Sequence, residues 1–358
     1  MNKLSTTALF LLLVLLIGAC GDDSEDTNDT NSSKINNTTV FFPYQYPVYT
    51  LVLGDDIYDN SLDNAHKCRI WASMGGYYSG CKGSVDFIVD ESLCTDVYFM
   101  DLTKDLTKVL PMPTNYYSLM SNVIPFNDES RGYVEVQLTD AFFNDPKSIE
   151  KTYVIPLRLT KATGIGHILT GTPKVGDTPD RLKSDDWEFL PKDYVLYCVK
   201  YMIPCQATYY RRGIDKVTNN SVTTVVTRKN LFDEKCEITT KNMTQAIFPV
   251  AFKTSGTSLS CNLILTFNGN TCLISTDDKN ITAEGSGEFI IEGTARPEYK
   301  DYQWENDEGT PVQRDILRLS YTIDFTNENI KVETRDTLVV KYRDERLYFE
   351  CYRKRRGN

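Results

Sequence analysis

The sequence predicts an all-β protein in two parts, an N-terminal immunoglobulin-like sandwich followed by an antiparallel β-barrel-like (lipocalin-like) or curved-sandwich domain. Three observations predict it. Short runs rich in β-branched and aromatic residues, many of them alternating apolar with polar, recur from Val40 to Tyr342. A polar stretch from Lys161 to Asp186, punctuated by Gly164, Gly166, Gly171, Pro173, Gly176 and Pro179, divides these runs into two blocks. No long window keeps a helical period; Glu91 to Asp105 alone has residues for one or two helical turns.

Residues 1–19 form a leader. Lys3 supplies the basic start, Ala8 to Ile17 is an apolar run too short for a permanent membrane span, and Gly18-Ala19 precede Cys20. Small residues directly before a cysteine are what a lipoprotein signal peptidase requires, so Cys20 is expected to become the acylated (palmitate-bearing) first residue of the mature chain. Two or three acyl chains on one residue make a stable anchor, whereas one would be marginal. Residues 20–39 carry Asp22, Asp23, Glu25, Asp26 and Asp29 among Asn, Ser and Thr, and read as a disordered, self-repelling tether.

The first block, 40–163, offers seven strand candidates: Val48–Leu53, His66–Ser73, Ser84–Val89, Tyr116–Leu119, Val123–Phe126, Tyr133–Leu138 and Tyr153–Thr160. Seven short strands with turn residues between them suit an immunoglobulin-like sandwich, although the Cys…Trp…Cys core of antibody domains is missing. After a linker at 164–186, the second block, 187–352, begins at Trp187. Its candidates are Tyr194–Met202, Ala207–Tyr210 (ended by Gly213), Val222–Thr227, Cys236–Thr240, Ile247–Phe252, Ser258–Phe267, Thr271–Ser275, Gly287–Glu292, Ile316–Phe325, Ile330–Glu333 and Leu338–Tyr342. Asn268-Gly269 is a strong hairpin signal and Asn327-Glu328-Asn329 a weaker one, so the block reads as an up-and-down barrel or curved sandwich. Residues 353–358 form a basic tail.

Composition narrows the function. The formal charge of −10 becomes −11 once Lys3 leaves with the leader, which argues against nucleic acid as a partner. Ten cysteines less Cys20 leave an odd nine, and several lie inside predicted strands, where a cysteine serves as a small buried hydrophobe. There is no C-x-x-C pair and there are only two histidines, so neither a metal site nor any cofactor is expected. His66 and His167 are read as structural or exposed residues. The G-x-S-x-G, H-E-x-x-H, G-x-x-x-x-G-K and G-x-G-x-x-G spacings are all missing, so no catalytic residue is assigned.

Several segments together resemble a known family. Phe41-Phe42-Pro43, Gly75-Gly76, Val85-Asp86-Phe87-Ile88-Val89-Asp90, Leu110-Pro111 before Tyr116-Tyr117, and Tyr153-Val-Ile-Pro-Leu157 are similar to the immunoglobulin-like N-terminal domain, of unknown function, in a family of Bacteroidota surface lipoproteins. In some relatives that domain precedes an endo-β-N-acetylglucosaminidase module, in others a β-rich or lectin-like one. Here Asp193-Tyr-Val-Leu-Tyr-Cys-Val-Lys-Tyr201, Tyr209-Tyr210-Arg-Arg-Gly213 and Asp336-Thr-Leu-Val-Val340 resemble the all-β partner of unknown function. The hydrolase module is a (β/α)₈ barrel of about 250 residues, and its catalytic carboxylate signature is missing from this chain. The resemblance therefore implies the fold and the placement but not the glycosidase activity. The acidic run after Cys20 likewise resembles the export signal that sends Bacteroidota lipoproteins to the outer face of the outer membrane.

The segment Arg296–Gly309 is long for a hairpin loop and rich in aromatic and acidic groups. Sugar rings present apolar C–H faces rimmed by hydroxyls, so their sites combine flat aromatic surfaces with carboxylates and amides. Tyr299, Tyr302 and Trp304 are candidate platforms; Asp301, Gln303 and Glu305 are the candidate polar edge, and Trp187 is a second platform candidate. The expected protein is thus a non-enzymatic, lipid-anchored module that binds a polysaccharide or oligosaccharide beside an outer-membrane uptake complex. The alternatives are a protein-binding or adhesive module, and a glycoside hydrolase whose two acids stand about 5 to 9 Å apart.

Overall fold

A computed structural model describes residues 37–354 except 55–58, 77–81, 101–106, 177, 229–233, 254–257, 293–303, 306–310, 344–346, 350 and 351. Cys20, the leader and the acidic tether lie outside the described residues, as do Tyr299, Asp301, Tyr302, Gln303 and the tail beyond Lys354.

The N-terminal unit is a sandwich of two curled sheets. One contains β1 (Thr39–Phe41), β3 (Lys67–Gly75), β7 (Tyr117–Leu119), β9 (Arg131–Leu138) and β11 (His167–Ile168), in the order β11-β1-β3-β9-β7. The other contains β2 (Pro47–Val52), β4 (Lys82–Val89), β8 (Val123–Asn127), β10 (Tyr153–Thr163) and β14 (Tyr194–Met202), in the order β2-β14-β10-β4-β8, with β6 (Leu110–Pro111) beside β10. Between them β5 (Val97–Phe99), β12 (Thr172–Pro173) and β13 (Trp187–Phe189) lie outside these two sheets. All seven strands expected in the first block are present. Their alternation sends Cys68, Ile70, Ala72, Val134 and Val136 inward to meet Val85, Phe87, Ile124, Phe126, Ile155 and Leu157 of the opposite sheet.

Three features depart from the expected organisation. Tyr194–Met202, assigned from sequence to the second domain, is a central strand of the sandwich, parallel to β2 and antiparallel to β10. The reason is burial. Its Val195, Tyr197 and Val199 face the main core while Tyr194, Leu196 and Cys198 face a second one with Leu93, Val97 and Phe99. A strand apolar on both faces needs cover on both, and the wall of a barrel covers only one. The stretch 164–186 is structured too: β11 pairs with β1 at its start, and β12 pairs with β13 just beyond its end. Finally, β26 (Leu347–Phe349) and β27 (Tyr352–Lys354) return to the sandwich, pairing with β2 and β5, so the basic tail begins inside a strand. The boundary between the units is consequently the short turn at 203–206.

From there the chain winds a closed antiparallel barrel: β15 (Ala207–Asn219), β16 (Val222–Arg228), β17 (Lys235–Asn242), β18 (Gln245–Lys253), β19 (Ser258–Asn268), β20 (Thr271–Ser275), β21 (Ile281–Ile290), β24 (Ile316–Phe325) and β25 (Ile330–Tyr342). Inserted after β21 is the small hairpin β22 (Trp304–Glu305) and β23 (Pro311–Val312). β16 and β17 lie along one edge of β15 in succession, so nine strands make eight staves, and β25 closes the ring by pairing with β15 over Thr208 to Asn219. The Gly269 turn (φ +58°) joins β19 to β20 as expected.

The barrel is filled rather than hollow at its closure. Arg211, at 1% exposure, projects inward beside Phe248 and Phe252. Its guanidinium donates to Asp336 at 3.0 Å, to Glu234 at 2.7 Å and to the Tyr321 hydroxyl at 3.2 Å. Tyr321 in turn donates to Asp336 at 2.8 Å; burial and the Asp336 charge push its hydroxyl well above the usual range, which keeps it protonated. Arg228 donates to the other Asp336 oxygen at 2.7 Å and pairs with Asp215, which also accepts from Thr334 at 2.9 Å. Gly213 is required here, because a Cβ would stand 2.4 Å from the Asp336 carboxylate and from the Arg335 carbonyl. The seven described cysteines, Cys68, Cys94, Cys198, Cys205, Cys236, Cys261 and Cys272, form no disulfide among the described residues. Burial pushes Cys94 and Cys236 up to about 12 and Cys261 and Cys272 up to about 11, so these thiols stay protonated at neutral pH. Removing one member of a buried charge cluster strands the others, at about 3–5 kcal/mol. Asp336→Ala is therefore expected to destabilise the barrel by that amount in urea unfolding, with Gly213→Ala also destabilising.

Candidate functional site

The alternation that builds the sandwich core also builds an outward face on the β3–β9 pair. With Cys68, Ile70, Ala72 and Met74 turned inward, Lys67, Arg69, Trp71 and Ser73 must point to solvent. On β9 the same phase exposes Arg131, Tyr133, Glu135 and Gln137. The register sets Trp71 directly opposite Tyr133 and Arg69 opposite Glu135. The two rings lie 4.7 Å apart at 51°, and each remains well exposed, 40% for Trp71 and 37% for Tyr133.

Charged groups frame the rings. The Arg69 guanidinium lies 4.3 Å from the Tyr133 centroid, a cation–π contact that fixes that ring. Glu135 pairs with Lys67 at 2.7 Å and Arg69 at 3.7 Å. The Lys67 hydrogen bond holds the Glu135 carboxyl below its ordinary value of 4.5. Being depressed, that pairing is fully present above the ordinary carboxyl range and is lost only as pH falls through the lowered value. Met120, 63% exposed, extends the apolar area on the neighbouring strand, its amide bonded to the Glu135 carbonyl. The result is a pair of accessible π faces on a rigid sheet with carboxylate, ammonium and guanidinium groups within reach, which is the chemistry a sugar ring requires.

The residues proposed from sequence fare differently. Trp187 is 5% exposed and its indole N–H donates to the Asp180 carbonyl at 2.7 Å, so no open ring face is presented. The backbone of Trp304 and Glu305 pairs with Val312 and Pro311, forming a small hairpin within the long β21–β24 connection. Tyr299, Asp301, Tyr302 and Gln303 lie outside the described residues. A concavity of about 680 Å³ on the outer barrel wall is lined by Lys216, Glu284, Ser320, Thr322, Glu333 and Arg335. It presents no exposed aromatic face, Tyr321 being buried. His66 packs its ring on Phe143 at 4.1 Å, and among the described residues no His, Cys, Asp and Glu cluster could hold a metal.

Trp71 and Tyr133 went unnoticed in the sequence, although a signal was present: each is an aromatic on the polar phase of an alternating strand. Because both rings are only partly buried, removing either is expected to cost only about 0.5–1.5 kcal/mol. Trp71→Ala and Tyr133→Ala should therefore fold, as thermal unfolding would show.

Fold and face together define a two-domain β protein, a sandwich joined through a short turn to a closed barrel. Residues 35–166 match an N-terminal domain family, and residues 204–344 match a domain of unknown function, DUF5627. A Bacteroides ovatus protein of unknown function, known from its crystal structure, is 35% identical with a TM-score of 0.79, covering 89% of this chain and 100% of its own. The chain belongs to this family, in which that N-terminal domain is joined to DUF5627. A candidate carbohydrate binding protein from Bacteroides ovatus ATCC 8483 overlaps 85% of this chain and 98% of its own at 8% identity, with a TM-score of only 0.28. No curated protein matches.

Proposed function

We propose that this chain is a lipid-anchored protein of the outer cell surface that holds a glycan without cleaving it, using the Trp71–Tyr133 face as the sugar platform. The observation that carries this reading is the exposed ring pair, held by strand register and by Arg69 and bordered by Glu135 and Lys67. Among the described residues no strand covers this aromatic pair, and core packing explains it poorly, since each residue keeps more than a third of its surface in water. The platform sits in the domain nearer the tether, and Trp304 in the long barrel loop remains a second contact toward the same ligand class.

Three paired carboxyls are poor candidates for the acid of a glycoside hydrolysis. Hydrolysis needs one acid held above its ordinary range. Asp90, Glu135 and Asp145 are each held below their ordinary values. At Asp90 burial pushes upward but is outweighed by the Ser92 and Arg158 hydrogen bonds. At Asp145 burial is likewise outweighed, by donors that include Tyr153 and the Lys147 amide.

A glycan array probed with the soluble chain from Gly21, beside Trp71→Ala, Tyr133→Ala and Trp304→Ala, tests the reading. Selective binding is expected, weakened at least about tenfold, or 1.4 kcal/mol, by either sandwich substitution. Loss confined to Trp304→Ala would transfer the site to the barrel loop, and silence across the array would favour a protein partner. Anchoring is tested separately. Cys20→Ser is expected to abolish incorporation of labelled palmitate and to release the chain from the membrane fraction; unchanged labelling would refute the anchor.

A further inference from the structure

The strand β16 is an edge built with none of the usual protections. Asn220 and Ser221, at φ +46° and +69°, make the tight turn that joins it to β15, with Asn219 opposite Val222. In such a hairpin the pair flanking the turn exchanges hydrogen bonds, so the backbone groups of Thr223, Val225 and Thr227 point away from β15. Among the described residues no strand pairs with that outer edge. Natural edges are blunted by charged side chains, proline, bulges or a covering segment. Here Ser221-Val-Thr-Thr-Val-Val-Thr227 has no charge, proline or glycine, and its register with β15 runs without a bulge. Val222, Val225 and Val226 are 69%, 57% and 40% exposed. The next residue, Arg228, would have guarded the strand, but its guanidinium is turned inward onto Asp215 and Asp336.

We propose that β16 is the seam of a homodimer, in which it pairs antiparallel with β16 of a second copy about a twofold axis at Val225. Three points select a second copy as the occupant. The segment is self-complementary: with the axis at Val225, the free backbone groups of Val225 meet those of the partner's Val225, and Thr223 meets the partner's Thr227. Mature chains of net charge −11 repel one another over most approaches, and this run offers a contact without charge. The nearest like charge on the same face, Lys216 opposite Val225 on β15, would lie three strand spacings from its copy, about 14 Å, which is beyond the screening length of roughly 8 Å. Such an isologous contact closes at two subunits instead of growing a fibre.

Sedimentation velocity of the soluble chain from Gly21, up to about 100 μM so as to capture a micromolar Kd, should show a dimer. Val225→Lys and Val225→Glu place like charges across the axis, and each should be monomeric with an unchanged far-ultraviolet spectrum. Mixed in equal amounts, the two should recover the dimer. Val225→Cys should form a covalent dimer on oxidation, since directly hydrogen-bonded antiparallel pairs have Cα atoms about 5.5 Å apart. A wild-type chain monomeric throughout, a dimer indifferent to both charge variants, or growth beyond two subunits would each overturn the proposal. Should one charge variant misfold, the cysteine variant decides alone, because absence of its covalent dimer refutes the seam.

Discussion

The carboxylate of Asp336 is the point on which the barrel turns. It sits on the strand that closes the ring and binds two guanidiniums, Arg211 on β15, the strand it closes against, and Arg228 on β16, paired to the other edge of β15. Two arginines, three acids, a tyrosine and a threonine fill space that leucines would occupy in an apolar barrel. Such a cluster is weak evidence of net stability, since desolvation offsets much of the attraction. Its consequence is geometric: each partner is satisfied only when β15 and β25 are in register, so closure and register are one event. Gly213 must lack a side chain for this to happen, and Tyr321 must stay protonated to donate.

A second constraint joins the halves. β14 is buried on both faces at the centre of the sandwich and runs almost directly into β15, the strand that carries Arg211. The Tyr201 hydroxyl donates to the Phe143 carbonyl at 2.9 Å, and beyond the strand the Ile203 amide donates to Thr240 of the barrel at 3.0 Å. The main core is continuous from sandwich to barrel. The platform on β3 and β9 is therefore mounted on a rigid support, and its ring geometry follows from strand register. That matters for the proposed glycan binding, because rings already fixed lose little freedom when a ligand arrives.

Strand limits are misread from sequence for one physical reason. Strand periodicity is legible when buried positions are apolar and exposed ones polar, as in β24, whose limits the pattern predicts. It misleads where phase and polarity disagree. β15 was ended near Gly213 and β25 was split between Glu333 and Leu338, because Arg211, Asp215, Thr334 and Asp336 look like loop residues although they point inward. β21 lost its first half because Gly285 and Gly287 take the inward positions. The converse mismatch hid the platform: Trp71 and Tyr133 are large and aromatic, yet sit on the outward phase.

By itself the amino-acid pattern determined the class: two β-rich blocks, their hairpin turns and most strand limits. These follow from local terms, namely the two-residue period, β-branched content and turn chemistry, which need no partner strand. Tertiary structure alone decided which sheet Tyr194–Met202 joins, how β25 closes on β15, which charges are buried, and which rings remain in water. Each of these depends on contacts between residues far apart in the chain, such as Arg211 with Asp336. The free energy of such a contact belongs to the pair and is written in neither residue alone.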